Sequence, residues 1–202
     1  MKTLIAISRL FSACFRPTYY PAVGLFMLFA FTYLRLLPFL YKVFVLAMVC
    51  FFTIAVPSLG VYLYRKSHGW HLYELRHQGK RAVPYAIHFV SYGACVYVMA
   101  AMHLPRFLVA VIMVSMLIQA SCLIVNIWYK VSMHSAGTGG VIGALVAYSH
   151  LFGFNPIWWL CGAILLAGVV MTSRMLLRQH TLGQVMGGTA IGVACGILGV
   201  LL

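Results

Sequence analysis

Ser173-Arg174, five intervening residues and His180, with Gln184 four positions further on, bring a cation, an imidazole and an amide into one short stretch. Arginine is permanently charged and its planar fork suits phosphate oxygens. A neutral imidazole attacks phosphorus when its other nitrogen donates to an orienting acceptor, and the Gln184 amide, one helical turn from His180, is in reach to be that acceptor. The competing reading is a cationic loop that anchors the last helix at the headgroups. A second polar stretch, Lys130-Val131-Ser132-Met133-His134, runs into the small residues Ser135 to Gly140. A helix start offers free N–H groups and a favourable dipole to an anion, so Lys130 and Ser132 can bind phosphate beside His134 as proton donor; a helix cap with close packing explains the same residues equally well. Glu74 is the one acidic residue in the chain. That excludes two-metal phosphatases, aspartate-rich prenyl transferases and paired-carboxylate hydrolases.

The elements that must position these groups are membrane helices. Of the 202 residues, 64% are apolar and 7% charged, and the mean hydropathy is +1.01, far from a soluble domain. Backbone groups in lipid must be satisfied within a segment, and a helix needs about 20 apolar residues to cross. The reading is an all-α, polytopic bundle of six or seven transmembrane helices, forming one membrane-embedded domain over residues 1–202. Polar breaks divide the chain into apolar segments at 20–37, 40–64, 83–103, 106–129, 136–152, 156–173 and 181–202. The first is cut short by Arg35 and Pro38 and is expected to be tilted, re-entrant or interfacial if it does not cross. Residues 1–19 read as an interfacial amphipathic helix, since Arg9 interrupts any signal-peptide core. Glycines recur in the last three segments, including Gly137, Gly139, Gly140 and Gly143, then Gly187, Gly188, Gly192 and Gly196. They let helices approach closely, so these segments form the packed core.

The six cysteines have no metal or redox spacing and read as small packing residues. A net charge of +13 on a chain of this kind points to anionic lipid rather than nucleic acid. Segment parity places the 65–82 loop, the Lys130–His134 turn and the Ser173–His180 turn on one face, where a single site can form. The remaining histidines, among them His88, His103 and His150, lie near segment ends or in the long loop and need no chemistry. Trp70, Trp128, Trp158 and Trp159 fall at segment boundaries, as interface anchors do.

The two motifs resemble those of the type 2 phosphatidic acid phosphatase family, membrane relatives of the vanadium haloperoxidases. The family's Pro-Ser-Gly-His appears as Ser132-Met133-His134, preceded by Val131. Its Ser-Arg, five residues, His, three residues, Asp is matched at Ser173, Arg174 and His180, with Gln184 in the aspartate position. A first motif, Lys, six residues, Arg-Pro, has only a degenerate counterpart in which Arg76 aligns with the lysine, Val83 with the arginine, and Arg81 stands nearby. The resemblance implies that His180 attacks phosphorus, that His134 protonates the leaving lipid oxygen, and that Arg174, with Arg76, Arg81, Lys130 and Ser132, holds the phosphoryl oxygens, without metal or other cofactor. The expected substrate and partner is a lipid carrying a phosphate or diphosphate monoester within the bilayer. The alternative is a non-catalytic lipid-phosphate-binding or transport protein of the same fold. If all seven segments cross, the motif face carries Lys2, Arg9, Arg16, Arg65, Lys66, Lys80 and Arg178 besides the site cations, against Arg35, Lys42 and Arg106 opposite. That asymmetry favours a cytoplasmic site, in a multi-pass protein of a bacterial inner membrane.

Overall fold

Apolar chain in a bilayer must pair its own N–H and C=O groups, and these residues do so as helices. The computed structural model describes residues 2–67 and 82–202. The order is α1 (Lys2–Cys14), α2 (Tyr20–Phe31), α3 (Phe39–Cys50), α4 (Val56–Ser67), α5 (Ala82–Ala101), α6 (Arg106–Val125), α7 (Met133–Phe152), α8 (Ile157–Leu176) and α9 (Leu182–Leu201). The fold is an all-α polytopic helical bundle. Among the described residues, five helices are long and apolar enough to cross a membrane: Phe39–Ser67 taken together, Val83–Ala101, Arg106–Val125, Ile157–Leu176 and Leu182–Leu201. α7 matches them in length at 20 residues, and its four glycines, Ser135 and Thr138 are buried. The segment expected at 20–37 is not one helix. It is the 12-residue α2 followed by a short 3-10 turn, Tyr33–Leu36, capped by Thr32, and α2 alone is too short to span. Exposed Trp128, Trp158 and Trp159 suit the interfacial role read for them.

The chain divides into two compact units, Pro21–Ile112 and Met1–Tyr20 with Met113–Leu202. In the first, the long Phe39–Ser67 segment carries a π turn at Phe51–Ala55, and Pro57 is its cause. Proline has no N–H, so the Phe52 carbonyl, which would bond to residue 57 in the π register, has no backbone donor. Ser91 Oγ of α5 donates to that carbonyl instead, and Thr53 Oγ1 donates to Val49 O at 2.8 Å. The one carbonyl freed by the proline inside hydrocarbon, that of Phe52, is thus satisfied by a hydroxyl.

The second unit is built on α7 and α9. Gly139 faces the Thr189 carbonyl, Gly143 that of Val193, Gly188 that of Ser132, Gly192 that of Ala136 and Gly196 that of Gly140. Residue numbers rise together along both helices, so they run parallel, backbone against backbone. The spacing Gly188-xxx-Gly192-xxx-Gly196 against Gly139-xxx-Gly143 is the small-residue pattern that permits this approach. α8 returns the chain between them and packs on both, and α1 lies against α8. α6 closes the other side, where Val114, Ile118 and Cys122 pack with Ala136 and Cys195. Cys95, Cys122 and Cys195 are buried and unbridged, as packing residues would be.

Because α7 and α9 are parallel and α8 runs back, the start of α7, the end of α8 and the start of α9 share one end of this unit. That is where the motif residues lie.

Candidate active site

Ser132 caps α7: its Oγ accepts from Ser135 N at 3.4 Å and from Ser135 Oγ at 3.1 Å. The residue is fully buried. Its backbone N–H donates to Gln184 O at 3.2 Å, which ties the two motifs together. The cap explanation therefore describes what the Ser132 side chain does. His134 follows in the first turn, half-buried, ahead of the 136–152 apolar segment.

At the other motif, Ser173 and Arg174 do not stand in a turn, as the segment boundary at 173 implies; they belong to the last turn of α8. Ser173 Oγ donates back to Val169 O at 2.8 Å. The helix ends in a Schellman arrangement, with Arg178 N–H to Met175 O at 2.8 Å and Gln179 N–H to Arg174 O at 3.2 Å. The residue in the left-handed position is Arg178, φ 51°, where glycine is usual. Lys130 Nζ then holds the turn by donating to Gln179 O at 3.2 Å.

This reversal delivers His180 just outside α9. His180 is not itself helical, so the one-turn spacing read from the sequence is not how Gln184 meets it. Thr181 caps α9, and Gln184 reaches back from the third helical position to complete a capping box. Gln184 Oε1 accepts from Thr181 N at 3.2 Å and lies 3.2 Å from His180 Nδ1. Thr181 N–H needs an acceptor, so the amide oxygen, not the NH₂, faces both groups. Nδ1 must then carry the proton, which leaves the lone pair on Nε2. Replacing Gln184 by glutamate keeps the capping box and adds a charge able to stabilise an imidazolium. Gln184→Glu is expected to raise turnover of a lipid phosphate about 10-fold or more; the ~10⁴ cost of the opposite exchange in a serine-protease triad sets the upper limit. Unchanged or lower turnover in a stable Gln184→Glu protein would count against His180 acquiring charge.

Arg174 Nη1 donates to Ser12 Oγ at 2.7 Å, so the guanidinium is held by α1. His134 is held neutral: burial lowers its pKa to about 3, with the Arg174 charge, His180 and Arg16 acting in the same direction and a hydrogen bond to the Ser12 backbone opposing them. The folded state thus refuses a proton that an unfolded histidine accepts below about 6.5. Stability is unaffected above that pH and falls as the pH drops from there toward 3.

The structure brings His134, Arg174, His180, Gln184, Ser132 and Lys130 to one end of the unit. Arg76 and Arg81 lie outside the described residues. Two participants escaped the sequence reading, Ser12 and Arg16. The available signal was Ser8 and Ser12, small residues one turn apart in an apolar helix, the pattern by which α1 packs closely on α8; Ser8 is buried. Among the described residues no three histidine, cysteine or acidic side chains are placed to hold a metal ion.

The fold defines a polytopic helical membrane protein, and the family comparison places its C-terminal region with phosphatases. Residues 126–202, from the turn before α7 to the end of α9, match the model of the PAP2 superfamily. The match takes in both histidine motifs and bears out the resemblance drawn from them. Comparison with curated proteins and with solved structures gave no match.

Proposed function

We propose that this protein hydrolyses the phosphate or diphosphate monoester of a membrane lipid through a phosphohistidine on His180. The observation that supports this reading best is the hydrogen bonding of His180, whose Nδ1 lies 3.2 Å from Gln184 Oε1, at the same end of the unit as His134 and Arg174. In the first step Nε2 bonds to phosphorus and the bond from phosphorus to the lipid oxygen breaks. His134 gives its proton to the departing oxygen. In the second step His134 takes a proton from water, the hydroxide displaces Nε2, and inorganic phosphate leaves. Arg174 neutralises the phosphoryl oxygens, so the protein contributes mainly positioning and charge. A helix-end pocket at headgroup level meets lipid substrates by lateral diffusion. With Ser12 of α1 held by Arg174, Arg16 joins the basic face, which favours the cytoplasmic side of a bacterial inner membrane.

The neutral state of His134 bears on where the proton comes from. Burial first and the Arg174 charge second keep His134 neutral, so it takes up a proton only when a phosphate anion is there to offset them. The second ionisation of a phosphate monoester lies near 6, so the proton arrives with the monoanionic substrate. Purified protein in detergent should release phosphate from lipid phosphates without added metal, with kcat/KM declining as the pH rises past about 6. His134→Ala should lower kcat by about 10²- to 10⁴-fold. Folded protein that binds a lipid phosphate yet releases none would favour a non-catalytic binding or transport role, for which Gln184 in place of a carboxylate is the supporting feature.

A further inference from the structure

We propose that Arg16, in the segment that follows α1, is a phosphate-binding cation of this site and is presented to it by the docking of α1 on α8. The inference rests on the phosphatase reading and adds a residue from outside the PAP2 region.

Four contacts fix where Arg16 stands. Upstream, Ser12 Oγ accepts from Arg174 Nη1 at 2.7 Å. Downstream, the Tyr20 ring lies so close to Gly137 that a Cβ there has no room, and Gly137 is less than one turn beyond His134. Between them the chain is braced on itself, with Tyr20 OH donating to Phe15 O at 3.4 Å and Tyr19 N–H to Arg16 O at 3.0 Å. Arg16 is extended, φ −72° and ψ 143°, ahead of the turn Pro17–Tyr19. It therefore sits midway along a strap pinned to the Arg174 side chain at one end and to the first turns of α7 at the other. Its side chain is exposed and close enough for its charge to act on His134.

The chemistry asks for such a group. A phosphate dianion presents three oxygens, and Arg174 spends part of its fork on Ser12. A second guanidinium supplies paired donors without a carboxylate to compete for it, since the chain holds a single acidic residue. A strap that follows an amphipathic helix also places the cation at headgroup depth, where a lipid phosphate enters.

The test uses the full-length protein in detergent, with phosphatidic acid in mixed micelles as substrate and inorganic phosphate as competitor. Arg16→Ala should raise both KM and the inhibition constant for inorganic phosphate by about 10- to 100-fold, the range for losing a hydrogen bond to a charged group, with a smaller effect on kcat. Arg16→Lys should recover part of both. A raised KM for the lipid alone, with inorganic phosphate inhibiting as before, would overturn the proposal and leave Arg16 as a headgroup anchor, as would no change in either constant. Thermal midpoints of the variants separate binding effects from misfolding. If the wild-type protein releases no phosphate, the phosphatase reading fails, and calorimetric binding of inorganic phosphate decides Arg16 alone. Binding weakened in Arg16→Ala would support the site; equal binding, or none in the wild type, would overturn it.

Discussion

Alanine at His180 is expected to cut phosphate release from a lipid phosphate by about 10⁴-fold or more, as loss of a nucleophile does in enzymes whose remaining groups only bind and polarise. The expectation follows from the tautomer. Gln184 Oε1 already accepts from Thr181 N–H, so His180 meets an acceptor through Nδ1, the tautomer whose Nε2 lone pair the proposed attack requires. No other described imidazole at this end is so arranged, because His134 is surrounded by Arg174, His180 and Arg16 and is better suited to exchange a proton than to carry a phosphoryl group. The variant should remain folded, since His180 lies outside α9 and the capping box of Thr181 and Gln184 does not depend on it. A direct check is labelled phosphate retained on the protein after an alkaline quench, where N-phosphohistidine survives: present in the wild type, absent in His180→Ala. Release above about 1% of wild type in a folded His180→Ala protein would mean that another group, or water itself, attacks phosphorus.

Much of this arrangement was legible in the chain before any coordinates, and the reasons differ from part to part. The spacing of Arg174, His180 and Gln184 survives folding because all three lie within one helix end, one turn and one helix start, where local geometry dominates. Segment parity brought the two motifs to one end because membrane helices of similar length leave little choice of topology. Other features depend on contacts between distant residues. Nothing near Ser12 in sequence announces that it will meet Arg174, 162 positions away. The meeting of His180 with Gln184 was foreseen, but as a turn of helix; the capping box that produces it needs Thr181 to be non-helical, which a periodicity argument cannot supply. Likewise the end of α8 was set at Ser173 by polarity, whereas the helix runs on to Leu176 because Arg174 finds a hydroxyl partner that pays for its place there. The 20–37 segment was flagged as weak by Arg35 and Pro38, and the break falls earlier, at Thr32, whose side chain caps the following turn.

Gly192→Ala is expected to be among the most damaging single-methyl changes in the protein. A Cβ at Gly192 would run into the Ala136 carbonyl and the Gly140 amide, both backbone atoms that cannot rotate aside. The helices must separate or shift, and overpacking of this sort costs about 1–3 kcal/mol and occasionally more. The consequence reaches the site directly. α7 carries His134 and α9 begins just after His180, so the Gly188–Gly192–Gly196 seam sets the distance between the two histidines, and the Ser132 N–H to Gln184 O bond at 3.2 Å lies at its end. Displacement by about 1 Å between reacting groups is worth on the order of 10² in rate. Gly192→Ala should therefore lower the thermal midpoint in detergent and lose activity beyond what the unfolded fraction explains. Gly162→Ala and Gly168→Ala are the matched controls: both lie on α8 with nothing within 4 Å of the added methyl, and alanine there should be neutral or stabilising by up to about 1 kcal/mol. Equal midpoints and equal activity for the Gly192 and Gly162 variants would show that the parallel α7–α9 contact does not hold the two histidines in register.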